Sequence, residues 1–102
     1  MKYFMIKYRF TNGTKEDWHR EIAKFIAGVD SDSALKGVSY RVMKNAKDTD
    51  YYHLASVADD QSVAALNSRD WFKHYQEMTK SVAGGEVTVL PLEIVAETAP
   101  KG

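Results

Sequence analysis

The spacing of apolar residues changes between period two and period 3.6 along this chain, and this pattern constrains the fold more than any other feature of the sequence. In residues 2–10 the side chains alternate between two faces, which is typical of a β-strand. One face is aromatic and β-branched: Phe4, Ile6, Tyr8 and Phe10. The other face mixes apolar and cationic side chains: Tyr3, Met5, Lys7 and Arg9. The pattern predicts a strand with the first face buried.

A helical period follows this strand after a turn at Asn12 and Gly13. Thr14 stands where a helix N-cap is expected, with Asp17 three residues later in a variant of the capping box. An apolar stripe then recurs at helical spacing: Trp18, Ile22, Phe25, Ile26 and Val29. The stripe predicts an amphipathic helix, followed by a loop at residues 30–33.

Two further alternating segments, residues 35–44 and 51–57, are separated by a short polar link. This arrangement predicts a β-hairpin. In the first of the two, Val38, Tyr40 and Val42 share one face.

A second helical region follows, and Asp59 or Asp60 is placed to cap its start. Its period is interrupted at Asn67 and resumes with aromatic residues. The last alternating segment, residues 86–97, contains Pro91, which has no N–H to donate and therefore favours an edge strand or a bulge.

The predicted order is β-α-β-β-α-β, a ferredoxin-like α+β domain at residues 1–97 with a flexible C-terminal tail at residues 98–102. Two helices cover one face of its four-stranded antiparallel sheet. The uncovered face is not cleanly polar, because Tyr3 and Met5 lie on the parity opposite Phe4 and Ile6. We therefore expect a homodimer in which two sheets pair across a two-fold axis.

Composition narrows the classes of partner and location. The chain has 14 Lys and Arg residues against 14 Asp and Glu residues, and this balance argues against nucleic-acid binding. It contains no cysteine, which excludes disulfides, thiolate nucleophiles and zinc–sulfur sites. Charges interrupt the apolar N-terminus within ten residues, so we expect neither a signal peptide nor a membrane span. We expect a cytoplasmic protein.

Two segments carry a resemblance to a known group of proteins. Residues 60–78 read DQSVAALNSRDWFKHYQEM, and residues 87–93 read VTVLPLE. Together with the element order, these segments resemble the dimeric α+β barrel proteins, specifically the antibiotic-biosynthesis-monooxygenase-like domains. In such proteins the second helix often has a small or polar break followed by an aromatic residue, much as Ser68 is followed by Trp71 and Phe72 in this chain. The resemblance implies a dimeric α+β barrel.

The resemblance also implies several activities. Some members oxidise quinols or polyketide phenols with O₂ and without metal or flavin, others degrade haem, and relatives include isomerases and proteins of no known activity. Haem-degrading members resemble one another in an asparagine on the first strand and a tryptophan and a histidine on the second helix. In this chain Asn12 lies in the turn, and His74 follows Trp71 by only three residues. The chain therefore lacks the arrangement of residues that the haem-degrading members share.

A cofactor-free oxygenase needs an apolar cavity, a base that ionises the phenol and a donor that holds the resulting oxyanion. His74 is the first candidate for a catalytic base, since it neighbours an aromatic cluster, and His53 is the second. Each has a structural alternative: His74 on the solvated face of its helix, and His53 as a satisfied buried histidine. The candidate substrate-binding residues are Trp71, Tyr75, Tyr52, Asn67 and Arg41.

The leading hypothesis is a cofactor-independent monooxygenase acting on a quinol or a related small phenol, with no metal site and no cofactor. His74 and Glu77 share one helix face, but two ligands do not make a metal site. The alternative is a non-catalytic dimeric barrel that binds a small apolar ligand or acts in a stress response. A titratable side chain that points into an enclosed cavity distinguishes the first from the second.

Overall fold

A computed structural model describes residues 1–100 of the chain. In chain order the regular elements are β1 (Lys2–Arg9), α1 (Lys15–Ser31), β2 (Val38–Lys44), β3 (Asp50–Val57), α2 (Asp60–Asn67), α3 (Asp70–Val82) and β4 (Val87–Leu92). The predicted βαββαβ order is confirmed, with the second helical region divided into α2 and α3. Within residues 1–100 no helix is long and apolar enough to cross a membrane.

The four strands form one antiparallel sheet in the order β2-β3-β1-β4. Pro91 lies on the edge strand β4, opposite Phe4 of β1, so the predicted edge position of this proline is confirmed. In the centre of the sheet, His53 of β3 is flanked by Ile6 of β1 and Val42 of β2. The registers on either side of β3 therefore determine which side chains surround this histidine.

The first helix begins as predicted. Thr14 is its N-cap, and the Thr14 hydroxyl accepts a hydrogen bond from the backbone N–H of Asp17 at 3.2 Å. The prediction of a loop at residues 30–33 is wrong at its start, because α1 continues through Ser31. The chain turns at Asp32, whose carboxylate accepts from the Ala34 N–H at 3.0 Å.

Two predicted strand limits also differ from the structure. The second strand begins at Val38, because Leu35 is taken into a short 3₁₀ turn and is only 1% exposed. The last strand ends at Leu92, which pairs with Tyr3 near the start of β1, so little of β1 remains for a longer strand to pair with. Residues 98–100 have no regular secondary structure, and residues 101–102 of the predicted tail lie outside the described residues.

An ion pair ties the break in the second helical region to the end of α1. The guanidinium of Arg69, between α2 and α3, donates to the Asp32 carboxylate at 2.7 Å. The chain then leaves α3 through Gly84 and Gly85, both at positive φ, which glycine adopts without strain. These contacts fix the position of α3 over the sheet.

The helices cover one face of the sheet and leave the other open. The covered face and the helices share the core, which includes Tyr8, Trp18, Phe25, Tyr51 and Tyr75. The residues of opposite parity on the four strands form the other face, which we call the open face. It comprises Tyr3, Met5, Lys7, Arg9, Ser39, Arg41, Met43, Asp50, Tyr52, Leu54, Ser56, Thr88, Leu90 and Leu92. Three of its large apolar residues are well exposed: Met43, Leu90 and Leu92.

Candidate functional site

A cavity of about 340 Å³ lies between the covered face of the sheet and the helices α2 and α3. Its walls are largely apolar and include Phe4, Ile6, Val63, Leu66, Phe72 and Val87. Its volume and lining are those of a site for a small organic molecule. The polar groups of the cavity are few, and several of them belong to one hydrogen-bonded cluster.

His53 is at the centre of that cluster and is 0% exposed. Its Nε2 atom lies 2.7 Å from the Tyr8 hydroxyl. Its Nδ1 atom lies 2.8 Å from the Tyr40 hydroxyl and 3.4 Å from the Tyr75 hydroxyl. The Tyr8 hydroxyl also accepts a hydrogen bond from the Trp18 indole N–H at 2.9 Å. We call these five residues the tyrosine–histidine cluster.

Counting protons assigns the tautomer of His53. If Nδ1 carries the proton, Nε2 accepts from the Tyr8 hydroxyl, and the Tyr8 oxygen accepts from Trp18, so each proton in this chain of bonds has an acceptor. In the opposite tautomer the Tyr8 oxygen would accept twice, and its own proton would have no acceptor among the described residues. With Nδ1 protonated, His53 donates to the Tyr40 oxygen. The Tyr40 and Tyr75 hydroxyls also bond to each other, and both residues line the cavity, where a ligand can contact them.

Burial shifts the pKa of every titratable group in the cluster toward the neutral form. It lowers the pKa of His53 from 6.5 to about 4, so the imidazole is uncharged at neutral pH. It raises the pKa values of Tyr8, Tyr40 and Tyr75 well above that of a free tyrosine. The cluster therefore supplies neutral hydrogen-bond donors and acceptors, not a ready source of charge.

Aromatic packing fixes the rings of the cluster. The Tyr75 ring stacks on Phe25 of α1, with centroids 3.9 Å apart and an angle of 4° between the planes. Its centroid lies 5.6 Å from that of Trp18. Tyr40 meets the Phe25 ring edge-on at 4.7 Å. Because α1 and α3 pack on each other through these rings, the hydroxyl groups have little freedom to move.

Three of the residues predicted from sequence line the cavity: His53, Tyr75 and Asn67. His53 is on the covered face because it is separated from the buried residues Tyr51 and Val57 by an even number of positions on β3, so the three side chains point the same way. Asn67 is the last residue of α2 and is exposed at the cavity wall. The structure thus brings the second histidine candidate, and not the first, to the cavity.

His74 and Trp71 lie elsewhere. The His74 side chain is exposed and faces a shallow groove between α1 and α3, which Trp71 also lines. Tyr75 also lines this groove, so His74 lies beside both of its predicted aromatic neighbours. His74 does not line the cavity between the helices and the sheet, because that face of α3 points away from the sheet, and its role as a base stays a prediction. Trp71 packs over Gly28, where a Cβ atom would lie 3.4 Å from the indole ring.

Tyr52 and Arg41 do not reach the cavity either. Tyr52 on β3 and Arg41 on β2 each stand between two residues of the covered face, so their own side chains point to the open face. The Lys7 ammonium lies 5.8 Å above the Tyr52 ring. These two predicted substrate-binding residues are therefore separated from His53 by the sheet, and in this position they can contact only a molecule that docks on the open face.

Sequence reasoning missed Tyr8, Tyr40 and Trp18 as members of the site. A signal was present, since Tyr8 and Tyr40 have the parity of the buried residues on strands adjacent to the one that carries His53. When polar side chains of three neighbouring strands all point to the buried face of a sheet, they indicate a shared hydrogen-bond network. Trp18 gave no such signal, because its place in the apolar stripe of α1 suggested packing alone.

Metal binding finds no support in the part of the chain that is described. Within residues 1–100, no three His, Asp or Glu side chains come close enough together to hold an ion.

Comparison with solved structures gives matches over nearly the whole chain. A crystal structure of an antibiotic biosynthesis monooxygenase superimposes with a TM-score of 0.76 at 9% identity, covering 94% of this chain and 100% of that one. A candidate antibiotic biosynthesis monooxygenase from Caulobacter crescentus has a TM-score of 0.77 at 13% identity, covering 93% and 90%. A variant of SnoaB, a cofactor-independent oxygenase from Streptomyces nogalater, has a TM-score of 0.73 at 12% identity, covering 98% of both chains.

These matches confirm the predicted fold, since the chain shares the architecture of antibiotic-biosynthesis-monooxygenase-like domains. Identities of 9–13% show the fold alone. Neither models of protein families nor curated protein sequences give a match. The chemistry of the chain must therefore be argued from its own cavity.

Proposed function

We propose that the cavity binds a small phenolic compound such as a quinol and that the chain catalyses its oxidation by O₂ as a cofactor-independent monooxygenase. The observation that carries the proposal is the placement of Tyr40, Tyr75 and His53 on the wall of a cavity that is otherwise largely apolar. An apolar enclosure accepts the aromatic ring, and hydroxyl groups on one wall select a ligand with an oxygen at that position. The likeness of the fold to a cofactor-independent oxygenase is consistent with this chemistry.

The reaction balances without any further reductant. A quinol supplies four electrons to O₂: one oxygen atom replaces a ring hydrogen, the product is a hydroxyquinone, and the second oxygen atom leaves as water. Electron transfer begins from the ionised phenol, so a group that stabilises the phenolate accelerates the reaction. Neither metal nor flavin is required, and this absence of a cofactor is part of the proposal.

In this proposal the cluster holds the phenolate, and His53 has a supporting role. An imidazole with a pKa of about 4 is a weak base, so the substrate proton passes to water at the open side of the cavity. His53 donates through Nδ1 to the Tyr40 oxygen at 2.8 Å and thereby orients the Tyr40 O–H toward the bound oxygen. Trp18 and Tyr8 in turn hold the other side of the imidazole. Tyr40 is the catalytic residue and His53 is a positioning residue.

Oxygen uptake with a panel of quinols tests the proposal. We expect Tyr40→Phe to lower kcat by about 10²-fold, since the loss of one oxyanion donor typically costs that much. Tyr52→Phe is the matched control, because it removes a tyrosine hydroxyl from the opposite side of the sheet. If wild-type protein consumes no oxygen with any quinol, the oxygenase proposal is wrong. If quinols nevertheless bind, the alternative of a non-catalytic binding protein is favoured.

The same assay addresses the first candidate base from the sequence. His74→Ala should leave turnover unchanged, because the exposed imidazole does not line the cavity. A loss of turnover of about 10²-fold or more would support a general-base role of His74 and contradict the proposal that the substrate proton passes to water.

We further propose that two copies pair through the open face to form a homodimer in the cytoplasm. Exposed Leu90, Leu92 and Met43 support this pairing, as do the half-buried Tyr3 and Leu54. A stable interface of this kind buries about 2,000 Å² or more. The open face also carries cations, and the carboxylates at 93 and 97 line the same groove as Arg41, so charges of both signs are available to a second copy.

A further inference from the structure

The cavity contains one charged side chain that the proposed reaction does not use. Among the described residues that line the cavity, Lys80 alone carries an ionic group, since His53 is neutral and the other polar side chains are hydroxyls and amides. Within residues 1–100, no carboxylate forms an ion pair with Lys80. Lys80 lines this cavity and is exposed, and without an internal counter-charge its ammonium group is available to an anion from outside.

The position of Lys80 follows from the helical repeat of α3. The residues of α3 that line the cavity recur at offsets of zero, three, four, seven and eight: Phe72, Tyr75, Gln76, Thr79 and Lys80. They form one continuous stripe, because these offsets share a helix face. Lys80 stands at the C-terminal end of this stripe.

Polar groups of the cavity divide into an exposed set and a buried set. Lys80, Gln76 and Asn67 are exposed, whereas Tyr75 is 5% exposed and His53 is 0% exposed. A ligand that fills the cavity can therefore place one oxygen against the buried hydroxyls while another group reaches Lys80 and Gln76, which are four residues apart on one face of α3. A neutral acceptor gains one hydrogen bond from Lys80, whereas an anionic group gains the hydrogen bond and an ion pair.

We propose that the ligand of this cavity is an aromatic acid, with a phenolic oxygen at the tyrosine–histidine cluster and a carboxylate bound by Lys80. The inference rests on the proposed binding of a phenol and narrows its substrate class. Lys80 then determines specificity and takes no part in the electron transfer.

A purely structural role for Lys80 makes a different prediction. The residue lies in the last turn of α3, where a cation interacts favourably with the negative end of the helix dipole. If that is its whole role, Lys80→Gln lowers the thermal unfolding temperature slightly and leaves ligand binding unchanged. The specificity role requires a loss of affinity that depends on the charge of the ligand.

A matched pair of ligands separates the two roles without any turnover. The probes are 6-hydroxy-2-naphthoic acid and 6-hydroxy-2-naphthamide, which share the ring and the phenol and differ in charge. Calorimetric titration of wild-type protein should give about fivefold tighter binding of the acid, the upper range for one accessible ion pair. This advantage should fall as salt is added, because the site is open to solvent.

Variants of Lys80 complete the test. Lys80→Gln should abolish the preference for the acid, and Lys80→Arg should retain it. Lys73→Gln is the matched control, since Lys73 is an exposed lysine of α3 that does not line the cavity. Equal binding of acid and amide to wild-type protein, or a preference that survives Lys80→Gln, overturns this inference and leaves the phenol site intact. If neither probe binds, the phenol site itself is refuted.

Discussion

The buried neutral His53 makes the free energy of unfolding depend on pH, and much of this dependence falls between pH 7 and pH 5, above the ordinary pKa of carboxyl groups. We predict that the free energy of unfolding falls as the pH is lowered from 7 to 4. The unfolded chain binds a proton at this imidazole near its ordinary pKa of 6.5, whereas the folded chain resists protonation until about pH 4. Protons therefore favour the unfolded state throughout this window, and the stability present at neutral pH is lost on acidification.

The magnitude follows from the difference between the two pKa values. Each unit of pKa difference corresponds to about 1.4 kcal/mol, so the loss should reach about 2 kcal/mol at pH 5 and about 3 kcal/mol at pH 4. His53 is 0% exposed, so solvent does not screen this cost. Such a loss is a large part of the total stability of a domain of this size, which is about 5–15 kcal/mol.

Urea unfolding at fixed protein concentration, followed by tryptophan fluorescence between pH 7 and pH 5, measures the slope of the free energy of unfolding against pH. His53→Gln should flatten it, because glutamine does not titrate, even though the variant is less stable overall. His74→Gln should retain it, since that imidazole is exposed. A slope that is the same in His53→Gln and wild type would refute the reasoning. Should His53→Gln fail to fold, an NMR titration of wild-type His53 that showed a pKa near 6.5 would refute it equally.

Four further substitutions test the packing and the assembly. Trp18→Phe removes the indole donor to the cluster, and we expect a loss of about 1–2 kcal/mol in thermal or chemical unfolding. Gly37→Ala should lower the free energy of unfolding by about 1–3 kcal/mol, because the new Cβ would lie 2.6 Å from the Ser62 hydroxyl oxygen. Gly28→Ala is the comparison: its new Cβ would have its nearest contact at 3.4 Å, so this variant should be as stable as wild type or more stable. Light scattering of wild-type protein should give a particle mass of twice the 11.5 kDa chain mass. Leu90→Glu should lower the measured mass toward that of a single chain. A wild-type monomer at micromolar concentration contradicts the dimer.

Periodicity predicted the fold because each element is set by a local pattern. The alternation in residues 2–10 and the stripe through Trp18 and Phe25 need no knowledge of distant contacts to be recognised. The predicted boundaries failed where tertiary contacts decide them. The first helix continues through Ser31 and stops where Asp32 pairs with Arg69, a residue far away in sequence that the pattern of α1 cannot reveal.

The site was harder to predict because helical spacing shows which residues share a face but not which face meets the cavity. His74 and Tyr75 are adjacent in sequence, yet Tyr75 points into the core and His74 into solvent. The presence of aromatic neighbours in the sequence therefore did not show which histidine lines the cavity. On the strands the parity was informative, since it placed His53 with the buried residues and Arg41 with the exposed ones.

The tyrosine–histidine cluster depends on strand register, which the sequence left open. His53 is flanked by Val42 and Ile6. Tyr40 lies two residues before Val42 and Tyr8 two residues after Ile6, within reach of opposite sides of the ring. A slip of one residue in the β1 register would turn Tyr8 to the open face and leave Nε2 of His53 without a partner in the core. The same slip of β2 would remove Tyr40 and leave Nδ1 with only the longer contact to Tyr75 at 3.4 Å. An unpaired buried polar group costs about 1–3 kcal/mol. The cluster that forms the polar wall of the cavity therefore also selects the register of β1, β2 and β3, so the requirements of the site and of the fold coincide at His53.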